Sequence, residues 1–167
     1  MHIMNDEIIN ELYKRAGTPE HVVRHMQAVA DFQDQLLDKL AAAGLSYDRD
    51  LLRCAALLHD VCRTEHNHAK AGADFLEREG FTQIADIVRD HHSPANDIEV
   101  KLTPSDILYY ADKRVQGDMV VTVQERFDAS LSKCRTPEAI EKHDALLSRA
   151  LAIEEAIRAV ISERSSE

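Results

Sequence analysis

Leu51-Leu52-Arg53-Cys54-Ala55-Ala56-Leu57-Leu58-His59-Asp60 is a run of apolar, helix-forming residues that ends on an imidazole and a carboxylate. Its first eight positions suit a buried helix. Its last two do not, because a polar or ionised group taken out of water must be hydrogen-bonded, paired or bound to a metal. The same conflict recurs to either side of this run. His25 interrupts the stripe Val22, Val23, Met26, Val29, Ala30, Phe32, Leu36, Leu37, Leu40, and Asp112 sits among Ile107, Leu108, Tyr109, Tyr110, Ala111 and Val115. His68 borders Ala69, Ala71, Gly72, Ala73, Phe75 and Leu76, and the pair His91-His92 follows Ile84, Ala85, Ile87 and Val88. A shared divalent metal centre would satisfy all seven groups at once.

The spacing around these residues predicts helices throughout. Asn5 to Lys14 reads as a short helix closed by Gly17, and Thr18-Pro19-Glu20 as the start of the next, with the threonine hydroxyl as cap. Asp48 or Asp50 opens the helix that ends at His59-Asp60-Val61-Cys62. Further helices start near Asn67 or His68, at Thr82 or Gln83, and at Thr103-Pro104-Ser105-Asp106. Ser93 to Asp97 reads as a loop. Met119 to Phe127, rich in valine, reads as the approach to another helix, with an extended strand as the alternative. Thr136-Pro137-Glu138 begins a last amphipathic helix over about 137–163, leaving Ser165-Ser166-Glu167 to fray. Repeats, linkers and low-complexity stretches are absent from the sequence. The expected fold is therefore all-α, a compact multi-helix bundle, with residues 1–167 forming a single domain.

Composition narrows the partners. Five glycines and four prolines are few for 167 residues, in keeping with helices, and 44% hydrophobic residues are ordinary for a globular chain. A net charge of -10 argues against duplex nucleic acid, whose binders carry a basic face. It leaves a nucleotide-sized substrate open, since a bound metal adds local positive charge. Cys54, Cys62 and Cys134 are odd in number and follow no zinc spacing, which reads as reduced thiols. With no apolar run near the ~20 residues of a membrane span and no leader pattern, the expectation is a cytoplasmic protein without membrane contact. The long apolar stripe of the last helix could complete the core or make a homodimer.

Taken singly, each of the seven residues has a structural alternative. His25 could be a hydrogen-bonded core histidine, and His91-His92 could complement a helix dipole. Asp112 could pair with Lys113 or Arg114, and His68 could be a capping neighbour. Taken together, they sit on different helices, which is how bundles build metal sites. Imidazole with carboxylate suits Mn, Fe, Zn, Ni, Co or Mg. Asp60, beside His59, is the candidate to bridge two ions.

The ordered set His25, His59-Asp60, His68, His91-His92, Asp112, with "LLHDV" at 57–61, "HAKAGADFL" at 68–76, "IADIVRDHH" at 84–92 and "YYADKRV" at 109–115, resembles the HD-domain superfamily of metal-dependent phosphohydrolases over residues 20 to 127. The resemblance implies a helical domain with His25, His59, Asp60 and Asp112 as the core metal set. His68, His91 and His92 match the extra ligands of the two-metal subset, for one or two divalent ions in all. The chain departs from the cyclic-dinucleotide branch, since "HHSPANDIEV" lacks the Gly-Tyr-Pro run found there. The implied chemistry is hydrolysis of a small phosphoester, a nucleotide or dinucleotide, with a metal-held water as nucleophile and Asp60 as the central carboxylate. Lys113 is the first candidate clamp on the phosphoryl group, followed by Arg114, Arg63, Lys70 and Arg126, each otherwise a solvated cation. His66 is a candidate proton donor to the leaving group, or else an exposed loop histidine. Two other readings remain open: a dinuclear-iron oxygenase of the same fold, and a non-catalytic nucleotide-binding regulatory module.

Overall fold

Asp48 accepts the Leu51 amide at 3.0 Å and so starts a helix that runs Arg49–Leu58 and stops at His59-Asp60. The stop leaves terminal carbonyls that need donors. They receive them from the His59 ring on Ala56, the Tyr13 hydroxyl on Leu57 at 2.6 Å and the Val61 amide on Leu58. The dyad is thus delivered by a helix end whose backbone is satisfied from several directions.

The computed structural model describes residues 4–92 and 99–164. In order these form α1 (Asp6–Ala16), α2 (Glu20–Ala42), α3 (Arg49–Leu58), α4 (His68–Arg78), α5 (Thr82–Asp90), α6 (Pro104–Lys113), β1 (Val115–Gln116), β2 (Met119–Val120), α7 (Val123–Leu131) and α8 (Pro137–Arg164). The fold is all-α, with one small antiparallel hairpin among the described residues. Helix ends follow sequence signals closely. Gly17 closes α1 in the left-handed region at φ 67°, while Thr103 and Asp106 form a reciprocal capping box on α6, as Thr122 and Glu125 do on α7.

Two expectations change. Thr18 does not cap α2; Pro19 takes that position, and the Thr18 hydroxyl donates instead to the Val61 carbonyl at 2.6 Å. A long-range acceptor beside the dyad wins over the local cap. The valine-rich segment divides, because Gly117 at φ 61° turns the chain back so that Met119 and Val120 pair with Gln116 and Val115 before α7 begins. The expected loop at Ser93–Asp97 and the frayed Ser165–Glu167 lie outside the described residues.

Two apolar clusters fill the interior. One gathers α1, the first half of α2, α3, α4 and α5 around Met26, Val29, Leu58, Leu76 and Val88. The other gathers the second half of α2, α6, α7 and α8 around Leu37, Leu40, Ile107, Phe127 and Ile153. Helices α2 and α6 contribute to both, Leu108 and Ala111 to the first and Ile107, Tyr109 and Tyr110 to the second. A largely buried ion pair, Arg149 to Asp106 at 2.6 Å, ties α8 to the start of α6. Among the described residues no helix is long and apolar enough to cross a membrane. His25 lies on α2 and Asp112 on α6, the helices that contribute to both clusters.

Candidate metal centre

Three histidines are oriented by the same device. His59 and His91 each follow the last residue of a helix, and each ring donates from Nδ1 to the carbonyl three residues back, Ala56 at 2.8 Å and Val88 at 2.5 Å. His25, within α2, donates from Nδ1 to the Gly117 carbonyl in the hairpin at 2.6 Å. With Nδ1 carrying the proton, a neutral ring presents a bare Nε2 lone pair. All three Nε2 atoms point toward carboxylates: His25 lies 3.0 Å and His59 3.5 Å from Asp112 Oδ1, while His59 lies 3.7 Å from Asp60 Oδ2 and His91 3.7 Å from Asp60 Oδ1.

His59 Nε2, His91 Nε2 and Asp60 Oδ1 are buried and make no hydrogen bond among the described residues. Lone pairs facing one another out of water are unfavourable unless a proton or a cation lies between them. Asp60 is the common element. Ligand atoms of His25, His59 and Asp60 lie within 4.8 Å of one another, as do those of Asp60, His68, His91 and His92, so each group could hold a metal ion. The donor set, imidazole nitrogen with carboxylate oxygen, fits a divalent ion without thiolate.

His68 and His92 are arranged differently. Arg63 donates to His68 Nδ1 at 3.2 Å, which puts the neutral ring's proton on Nε2, and that nitrogen lies 2.7 Å from His92 Nε2. His68 Nε2 is also 3.3 Å from Asp60 Oδ1.

Electrostatics separates His59 from His68 and His92 in the same sense. Burial pulls the His59 pKa down, but Asp60 and Asp112 outweigh it and raise the value to about 8. Burial lowers His68 to about 4, against Asp60, and lowers His92 to about 2 with help from His91 and Lys113. Asp60 is held below the usual carboxylate range because the nearby His59 and His91 rings overcome its burial. Asp112, fully enclosed, is held well below it by Lys113 and by His25 and His59.

All seven expected ligands therefore converge. The expected clamps disperse. Lys113 is buried and donates to Asp112 Oδ2 at 2.7 Å, so the alternative pairing foreseen for Asp112 is present alongside its place in the cluster. Arg63 lies 3.4 Å from Asp60 Oδ2 and lines a cavity of about 480 Å³ that opens onto His25, Asp60, His92 and Asp112. Arg126 lines the same cavity, its Nε donating to the Val115 carbonyl at 3.1 Å. Lys70 is not brought there; it is exposed and pairs with Asp74 at 2.5 Å. Arg114 is directed elsewhere, donating to the Val121 carbonyl and the Tyr110 hydroxyl and stacking on Phe32. His66 is exposed and absent from the cavity wall. Lys133, Ser130 and Arg24 line the wall without having been singled out in the sequence. The recurrence of Arg126, Ser130 and Lys133 at helical spacing was the available signal.

Residues 21–128 match the HD domain family. The chain belongs to that family. Its members are generally metal-dependent phosphohydrolases, in keeping with two His/Asp groups able to hold a metal. An uncharacterized protein of Methanocaldococcus jannaschii is 28% identical over 134 residues, covering 68% of this chain and 79% of that protein. A tRNA (cytidine(56)-2'-O)-methyltransferase of Picrophilus torridus is 26% identical over 153 residues, covering 81% of this chain. This chain spans only 41% of the methyltransferase's length. No solved structure matches the chain.

Proposed function

We propose that this HD-domain protein is a metal-dependent phosphohydrolase that cleaves a small phosphoester, a nucleotide by preference, with His25, His59, Asp60, His68, His91, His92 and Asp112 as its metal ligands. The observation that carries the reading is the buried trio His59 Nε2, His91 Nε2 and Asp60 Oδ1, which lack hydrogen bonds and face a shared centre beside an open cavity. A divalent ion held there would supply Lewis acidity and a water acidified toward neutral pH.

The remaining work falls to side chains already in place. The backbone carbonyls of Ala56, Val88 and Gly117 fix the three inward rings, and Lys113 holds Asp112 against His25 and His59. Arg63, Arg126 and Lys133 stand on the cavity wall, where a phosphoryl group would meet cationic donors despite a net charge of -10 on the whole chain. Lys113 acts through Asp112 rather than on substrate. The similarity to part of a protein named for tRNA methylation lends support to a nucleotide ligand.

The test is turnover of bis(p-nitrophenyl) phosphate by purified protein supplied separately with Mn, Fe, Co, Ni, Zn and Mg. Release of nitrophenolate that stops on chelation and returns with the metal is the expected result. Absence of turnover with every metal, under conditions where the protein retains metal and helicity, overturns the hydrolase reading.

A further inference from the structure

A second cavity, of about 350 Å³, adjoins the first and shares His92, Arg126, Ser130 and Lys133 with it. Its remaining wall comes from α6, α7 and α8: Phe127, Ala139 and Leu146 on the apolar side, Lys113 and Lys142 on the charged side. Most of the lining is apolar, yet lysines and an arginine stand around it. Arg126, Lys133 and Lys142 make no ion pair with a carboxylate among the described residues, although acidic residues outnumber Lys and Arg by 30 to 20. Unneutralised cations beside an apolar wall match an amphiphilic anion, a flat ring carrying a phosphate. Lys133 and Lys142 also lie beyond residues 21–128, so the family segment does not supply them.

We propose that the α7–α8 cavity is a specificity subsite for a second phosphate of the substrate, which would be a nucleoside carrying two separate phosphate groups. The scissile phosphoester lies at the His/Asp cluster. The nucleoside lies against Phe127 and Leu146, and the second phosphate is gripped by Lys133 and Lys142, with Arg126 between the two cavities. This rests on the phosphohydrolase reading for the identity of the first site, but its test does not require turnover.

Equilibrium dialysis of the full chain, freed of metal by chelation, against adenosine 3′,5′-bisphosphate and adenosine 5′-monophosphate measures the selectivity directly. The expected result is at least about tenfold tighter binding of the bisphosphate, the effect of a charge-assisted contact. In the double variant Lys133→Gln, Lys142→Gln that ratio falls to within about threefold, while Lys39→Gln, an exposed charge that lines neither cavity, preserves it. Equal binding of the two ligands by the wild type, or a ratio that survives the double substitution, overturns the subsite. Circular dichroism separates lost selectivity from lost structure; if the double variant unfolds, Lys133→Arg and Lys142→Arg, which keep the charge, must retain the ratio. Selectivity without turnover of any phosphoester would leave the subsite standing and remove the hydrolase assignment. Turnover without selectivity would do the reverse.

Discussion

The inward histidines, His25, His59 and His91, and the outer pair, His68 and His92, reach the same carboxylates by opposite means. Each inward ring donates its Nδ1–H to a backbone carbonyl, so that in its neutral form it aims a lone pair at Asp60 or Asp112. The outer rings are held by side chains: Arg63 donates to one, and the two meet nitrogen to nitrogen at 2.7 Å. Backbone carbonyls are fixed by helix ends and a hairpin, so the inward rings are preorganised. To ligate through Nε2, His68 must part from His92 and surrender the proton that Arg63's hydrogen bond keeps there. One half of the centre is built by the fold. The other half must rearrange.

Asp60 belongs to both halves, so its removal should have the largest effect. Asp60→Ala is expected to abolish stoichiometric metal, measured by elemental analysis, and to cut turnover by about a hundredfold or more. Far-UV circular dichroism should change little, since the caps and apolar clusters do not depend on it. Metal retained at wild-type stoichiometry would break the idea that the halves share this carboxylate.

The next effect separates the halves. Titration calorimetry with Mn should show two steps, the tighter one belonging to the inward set and the weaker one lost in His92→Ala. Arg63→Ala should strengthen the weak step by about tenfold, because it removes both a positive charge and the hydrogen bond that fixes the unhelpful His68 tautomer. A weak step left unmoved by Arg63→Ala would sink the tautomer explanation.

Convergence of the seven candidate ligands is legible in the sequence because each places a polar group where helical periodicity demands an apolar one. The same periodicity locates α3 and α6, with Thr103 as the cap of α6 and Asp48, one of two expected starts, as the cap of α3. Other features depend on contacts distant in sequence. The two-residue strands around Gly117 are too short to show a period, yet their turn supplies the carbonyl that orients His25, 92 residues away. Thr18 looks like a cap and is instead bonded to Val61. Arg114 and Lys70 look as available as Arg126, and only packing directs Arg114 toward Tyr110 and Lys70 toward Asp74 while Arg126 faces the cavity. Ring tautomers, which distinguish the halves, follow from these hydrogen bonds and have no signature in sequence.

The pH dependence of the metal-free protein should differ in sign between His59 and the outer pair. His59, raised from 6.5 to about 8, stabilises the fold below its unfolded value, and that contribution is lost as pH rises through 8. His68 and His92, lowered to about 4 and about 2, take up protons in the unfolded chain first, so stability falls as pH drops below about 6.5. Denaturant midpoints from pH 5 to 9 should therefore fall on both sides of neutrality. His59→Gln should flatten the alkaline limb and His92→Gln the acid limb; the reverse assignment would contradict the electrostatic division.

The smallest effect concerns how the outer pair is carried. His68 begins α4 and His92 follows α5, and these helices are clasped by Arg89, which reaches Asp74 at 2.8 Å and Glu77 at 3.0 Å, while Lys70 bonds Asp74 from within α4. Hydrogen bonds from Lys70 and Arg89 lower the Asp74 pKa to about 2, so the clasp contributes at pH values above the ordinary carboxylate pKa and is lost as pH falls through about 2. It is exposed, and its effect on global stability is small. Its effect on the distance between His68 and His92 is direct, because among the described residues no backbone hydrogen bond fixes either ring in the way Ala56 fixes His59. Asp74→Asn should weaken the second metal step by a few-fold, leave the first unchanged, and shift the acid unfolding midpoint only slightly. Equal weakening of both steps would mean that the α4–α5 clasp supports the inward rings as well, and the division between a preorganised and an adjustable half would then lie elsewhere.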